Sequence, residues 1–554
     1  MLGRNILRFV RSAALVSCLG FLVGAAGTLS AEDAARKDEA STDERTAMAR
    51  RIDELLANGW KEAGVKPAPL ASDAEFLRRI YLDLTGRVPR VSEARAFLAD
   101  DQPDKRQRLI DRLLGIAAEP KATDAATGDH AAVRPQYASH FAAVWRGFLL
   151  PSDADLRRFG GGLTFENWLR TQFADNVPYD RTVRELLLAE GQVFQTGPGL
   201  FYATVGVKPE ELASATSRAL LGVQIGCAQC HDHPFDVWSQ RDFWSYAAFF
   251  ARLEQPRAQQ QIVTVLREVD EGEVKLPETD EVVAPRYLGG ETLAEGESNS
   301  RRRALADWMT DKQNPYFARA AVNRVWAQLF GRGLVEPVDD LGQHNLPSHG
   351  ELFDELASHF VESGFDLREL IRVLASTRAY QLSSAAPGDD APRSDLFAVM
   401  SVKPLTAEQL YDSLETAACR RANASVVQRG FAAGRGFDQR RQAFLNKFAA
   451  PAAAATEYQA GIPQALSLMN GEMIGEAVDV TRSDLLLALD APFLDDEQRV
   501  ETLFLATLSR MPTVQEREKF VEYVTHRESP PDKQAALGDV LWALLNSAEF
   551  ALNH

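Results

Sequence analysis

The chain is poor in cysteine and histidine, with four of one and nine of the other among 554 residues. Such scarcity excludes a disulfide-stapled scaffold and a protein organised around many metal sites. Beyond residue 26 there is no long apolar run, so no later segment is greasy enough to cross a bilayer as a helix. Basic charge is also in deficit. Lys and Arg number 61 against 78 Asp and Glu, for a net charge of −17, which disfavours nucleic acid and anionic membrane as partners. No repeat of fixed period occurs. Phe330-Gly331-Arg332-Gly333 is no phosphate loop, because the lysine and the strand–loop–helix context are missing.

What is present begins with a targeting signal. Residues 1–31 have no acidic side chain, three arginines (Arg4, Arg8, Arg11), an apolar run from Ala13 to Ala26, and small residues up to Ala31. This predicts a secretory signal peptide and an exported, periplasmic or extracellular protein. Leu15-Val16-Ser17-Cys18 also resembles a lipoprotein box, although the apolar stretch continues past Cys18 where such a box would end it. Removing the three arginines takes the charge from −17 to −20. Cys227, Cys230 and Cys419 then remain.

The pattern of the rest is mainly α, in two helical domains with a small β-containing insert or linker between them. Residues 32–45 read as a disordered linker. An N-terminal helical domain is expected over 46–255, where Phe76, Ile80 and Leu84 share one helical face and Leu109, Leu113 and Leu114 another. Residues 256–298 hold the β-like runs Gln261–Leu266 and Glu273–Leu276, broken by Pro277, Pro285 and Gly289-Gly290. A C-terminal helical domain follows over 299–554. Its helix starts are marked by the capping pairs Ser348/Glu351, Asp366/Glu369, Thr406/Gln409 and Thr513/Glu516. The tryptophans Trp145, Trp168, Trp238, Trp244, Trp308 and Trp326 sit in helical patterns and are expected to pack in the core. Cys419 is expected to be a buried thiol on an apolar helical face.

The most informative string is Cys227-Ala228-Gln229-Cys230-His231. In an exported protein, C-x-x-C-H is the attachment signature of c-type haem. Two thiols at this spacing can reach the two vinyl groups of one porphyrin, and the adjacent imidazole falls where it can ligate the iron. His233 is two residues on, on the same side, and cannot easily be the opposite ligand. That position would fall to Met309, Met400, His344 or His349, or stay open. The same segment reads alternatively as a zinc knuckle of Cys227, Cys230 and His233, completed by His344, His349 or Asp232. It also reads as a local disulfide with no cofactor.

A second constellation is Glu336-Pro-Val-Asp339-Asp340-Leu-Gly-Gln-His344-Asn345. Paired carboxylates with a histidine four positions on suit acid–base chemistry, which makes Asp339, Asp340 and His344 the catalytic candidates. The plainer reading has the carboxylates bracing a loop, against Arg324 or Arg332. The two loops, one around Cys227–His233 and one around Asn345–His349, are expected to lie close together.

The segment Glu211–Asp236, with Phe76–Gly86 and Pro103–Arg106, resembles an exported planctomycete domain of unknown function, numbered 1549, that is associated with cytochromes. Asn323–Trp326, Phe330–Leu341, Asn345–His349, Arg378–Ser384 and Leu541–Ser547 resemble its usual companion, the domain of unknown function numbered 1553. Gly350 stands where that family continues with proline. The resemblance implies relatives and a cytochrome context, but no reaction. The leading expectation is therefore redox or electron transfer, with a redox partner or envelope proteins as the partners implied. An extracytoplasmic hydrolase or accessory protein of polysaccharide breakdown, and a structural envelope protein, are the alternatives.

Overall fold

The structure, a computed structural model, describes residues 47–116, 130–151, 163–254, 265–294, 296, 300–386, 393–419, 439–448, 469, 471–526 and 529–554. The expected signal peptide, Cys18 and the linker to residue 45 lie outside these. The chain divides into two units at residue 54, and the described part of the first, 47–54, is helical.

The second unit is mainly α, and its helices start where local chemistry says they should. Ser72 accepts the Glu75 N–H to open the helix Asp73–Thr85, and Gly86, at φ 71°, closes it. Phe76, Ile80 and Leu84 are wholly buried along that helix. Reciprocal caps form at Thr406/Gln409 and Thr513/Glu516, and Asp366 accepts the Glu369 N–H. The expected cap at Ser348 does not form. The helix Gly350–Glu362 is preceded directly by His349, because the Ser348 hydroxyl donates to the Leu334 carbonyl instead, at 3.1 Å. Cys419 also departs from expectation. It follows the end of the helix Ala407–Ala417 at φ 51° and is exposed.

The strands are short. β1 (Gly191–Gln192) pairs antiparallel with β2 (Val265–Leu266), β3 (Val274–Lys275) with β4 (Val282–Val283), and β5 (Lys403–Pro404) with β6 (Leu552–Asn553). The stretch 256–298 thus supplies β2 to β4. The β3–β4 hairpin has its own small core, where Val274 and Val283 pack with Ala248 against Trp244, Ala251 and Leu276. It lies behind the helix Gln240–Ala247, which follows the cysteine motif.

Parts distant in sequence are interlocked through the helix Asp73–Thr85. Arg78 donates to the carbonyls of Thr507, Glu549, Phe550 and Leu552, and Arg79 to those of Tyr380, Leu382 and His554. Asp83, 1% exposed, accepts from Lys403 Nζ at 2.8 Å, Tyr380 Oη at 2.8 Å and Asn553 Nδ2 at 2.7 Å. A buried carboxylate is tolerable only when its lone pairs are met in this way. Of the six tryptophans expected in the core, Trp145, Trp238 and Trp326 are buried, whereas Trp168, Trp244 and Trp308 are half-buried. No described helix is long and apolar enough to cross a membrane.

Candidate functional site

The helix Pro209–Thr216 widens into a π-helical turn, Ser217–Leu221, and stops at Gly222. Glycine is required there. Its φ is 66°, and a Cβ would sit 3.0 Å from Leu341 Cδ1 and 3.2 Å from Ala320 Cβ. After a short extended link, Gly226–Gln229 form one 3₁₀ turn. Ala228 on that turn is wholly buried and anchors it, while Cys227 and Cys230 on either side are exposed and unpaired.

The following helix ties the turn down. Its capping box, Ser239 with Asp242, sets the first turn. From there Gln240 Nε2 donates to the carbonyls of Gln229 and Cys230, and Trp244 Nε1 to that of Gln229. In return the Gln240 N–H donates to Asp232 at 2.8 Å. The intervening loop closes through the His233 N–H and the Trp238 carbonyl, at 2.7 Å, with Trp238 buried beneath it.

Hydrogen bonding separates the two histidines. His231 Nδ1 lies 2.7 Å from the Asp232 carbonyl oxygen, which can only accept. In the neutral ring Nδ1 therefore carries the proton and the Nε2 lone pair is bare. His233 has the opposite arrangement. Its Nδ1 accepts the Phe235 N–H at 3.3 Å, so in the neutral ring the proton sits on Nε2. His231 is thus poised to ligate a metal through Nε2, whereas the free nitrogen of neutral His233 is spent inside the loop. Among the described residues, no three His, Cys, Asp or Glu side chains are grouped to hold a metal ion.

The second constellation reaches this loop from behind. Asp339 accepts from Arg218 Nε at 2.5 Å and from Gln224 Nε2 at 3.1 Å, bracing the chain just before the cysteines. The brace is thus Arg218, not Arg324, which donates to the Arg218 carbonyl, or Arg332, which donates to Ser394. The Leu341 N–H donates to the Gly222 carbonyl at 2.7 Å. His344 spans two carboxylates, with Nε2 3.2 Å from Asp340 and Nδ1 3.7 Å from Asp236, inside the cysteine loop. Asp339, Asp340 and His344 are therefore engaged in holding one loop to another.

The four residues considered for the opposite side of an iron are not equivalent. Met309 and Met400 are buried in packing. His349 rests on the ring of Phe397, and burial lowers its pKa. His344 meets the cysteine loop at Asp236, and both its nitrogens face carboxylates. An open cavity of about 620 Å³ lies between the helices Val514–Thr525 and Pro530–Leu545, lined by Phe520, Tyr523, Asp539 and Trp542. It includes no residue of the cysteine loop.

Sequence reasoning missed Arg218, Gln224, Asp236 and Gln240 as the supports of the turn. Their spacing from the cysteines is not a motif, and only the fold brings them together.

Comparison with known families accounts for both halves of this arrangement. The sequence model of one family, PSCyt2, described as Protein of unknown function (DUF1549), matches residues 51–255. That of a second, PSD1, described as Protein of unknown function (DUF1553), matches residues 301–431. The chain carries the first of these domains followed by the second. The cysteine turn belongs to the DUF1549 domain and the bracing loop to the DUF1553 domain, so the site is held together across the two. Neither a curated protein nor a solved structure matches the chain.

Proposed function

We propose that this is an exported redox protein in which Cys227 and Cys230 hold a c-type haem covalently and His231 ligates its iron. The observation that carries this reading is the 2.7 Å contact of His231 Nδ1 with the Asp232 carbonyl. An imidazole with Nδ1–H bound to a carbonyl presents a bare, oriented Nε2 beside two exposed thiols on one turn. Haem asks this chain for two thiols and one imidazole, all within five residues. Zinc asks for four ligands, and the Nδ1 of His233 is already engaged in the loop.

The name of the first family points the same way, toward a cytochrome setting. When bound, haem would supply one-electron chemistry. The chain's own part is to fix the imidazole, hold the thiols at the surface, and keep the turn rigid through Gln240, Trp244 and Asp232.

Production in a host with haem-maturation machinery tests this. The expected outcome is a covalent adduct of haem mass on the peptide holding Cys227 and Cys230, with a visible haem spectrum lost in C227A/C230A. A colourless chain, made beside a control cytochrome that matures normally, would overturn the reading.

A further inference from the structure

Phe235 and Val237 follow the cysteine motif and flank Asp236. The Asp236 side chain is 4% exposed and faces His344, whereas Phe235 is 78% exposed and Val237 58%. The neighbouring loop lies against the same carboxylate, since a Cβ on Gly342 would stand 2.5 Å from its Oδ2. Two residues past His344 comes Leu346, 80% exposed. Among the described residues three large apolar side chains are more than three-quarters exposed: Phe235, Leu346 and Phe493. Two of the three sit in these adjoining loops.

Bare apolar surface carries a cost of roughly 25 cal/mol per Å² relative to covered surface, so exposed apolar side chains in the loop that holds two free thiols, and in the loop that meets it at Asp236, call for something to cover them. We infer that Phe235, Val237 and Leu346 are the apolar seat of the porphyrin borne by Cys227 and Cys230. Residues of both domains would then contact one cofactor, which gives the bracing loop of the DUF1553 domain a part in the site. This rests on the haem reading above. The occupant is the porphyrin because the thiols that would tether it lie in the same loop as Phe235 and Val237. A separate protein partner has no such attachment.

Covalent carbene labelling of the whole protein, read by peptide mass spectrometry, tests the seat without any activity measurement. Phe235 and Leu346 should be labelled in C227A/C230A and lose that labelling in the haem-bearing chain, while Phe493 is labelled equally in both. Attached haem with Phe235 and Leu346 still labelled would overturn the seat and leave the haem reading intact. That result would assign the patch to a protein partner. A chain that takes up no haem would overturn both, and its lack of a visible spectrum identifies that case. In haem-bearing L346S and F235A the midpoint potential should fall as water reaches the ring. An unchanged potential in both would count against the seat.

Discussion

Two polar clusters in this protein are built on opposite plans. Around Asp83 the carboxylate, Lys403, Tyr380 and Asn553 answer one another inside the core. Lys403 also donates to the carbonyls of Gln328 and Leu329, so its charge is satisfied in several directions. Burial lowers the Lys403 pKa and, with Asp83 adding to it, pushes that of the Tyr380 hydroxyl well above its usual value. Its polar atoms without a hydrogen bond, Asn553 Oδ1 and the neighbouring His140 Nε2, are buried rather than turned to solvent. Around Cys227 the hydrogen bonds run behind the turn, to Gln240, Trp244 and Asp339, and the thiols and the His231 Nε2 are left facing outward. Chemical richness alone therefore does not mark a site. The direction in which groups are left unsatisfied does.

The sharpest way to break this contrast is to remove Asp83. D83A leaves a buried ammonium without its carboxylate and should cost about 3–5 kcal/mol in urea unfolding. A loss below about 1 kcal/mol, the range of exposed ion pairs, would mean that the cluster is not the closed hub described here.

A second test uses pH. His140 is buried within the same region, and burial lowers its pKa to about 4 from the ordinary 6.5. The fold holds it neutral, so the unfolded chain binds the extra proton. Its contribution is fully present above pH 6.5 and is lost as pH falls toward 4. The span amounts to no more than about 3.4 kcal/mol. H140Q should flatten that part of the stability–pH curve, and an unchanged slope would show that His140 is not the group responsible.

The bracing loop should matter less to stability and more to the turn. Arg218 is 65% exposed, so D339A is expected to cost under about 1 kcal/mol. It should nevertheless speed alkylation of Cys227, because Gln224 loses its anchor just before the turn. Equal alkylation rates in D339A and the parent would separate the loop from the site.

The smallest effect on folding belongs to the cysteines themselves. C227S/C230S should lie within about 0.5 kcal/mol of the parent, since both side chains are exposed and neither supports packing. A large loss would make them structural and erase the contrast with Asp83.

Much of this was legible from residues alone where the interactions are local. The caps at Asp366, Thr406 and Thr513 need only a side chain and an N–H three residues away. Ser348 misled because a carbonyl fourteen residues earlier competes for its hydroxyl. The reason that no residue but glycine fits at position 222 lies with Leu341 and Ala320, which are far from it in sequence. Asp339 and His344 were visible as a carboxylate–histidine group, and their chemistry suggested acid–base work. Their partners Arg218 and Asp236, more than a hundred residues earlier in the chain, turn them into braces.

By itself the sequence determined the mainly α class, the order of the two domains and the five-residue turn with its thiols and imidazole. Spacing and periodicity are properties of neighbouring residues, and they survive without knowledge of the fold. The tertiary structure decided which groups brace that turn, because Arg218, Gln224 and Asp236 meet Asp339 and His344 only once segments more than a hundred residues apart are folded together. It alone brought the loop of His344 against Asp236 and assembled the cluster around Asp83, for those contacts join segments whose separation along the chain carries no local signal.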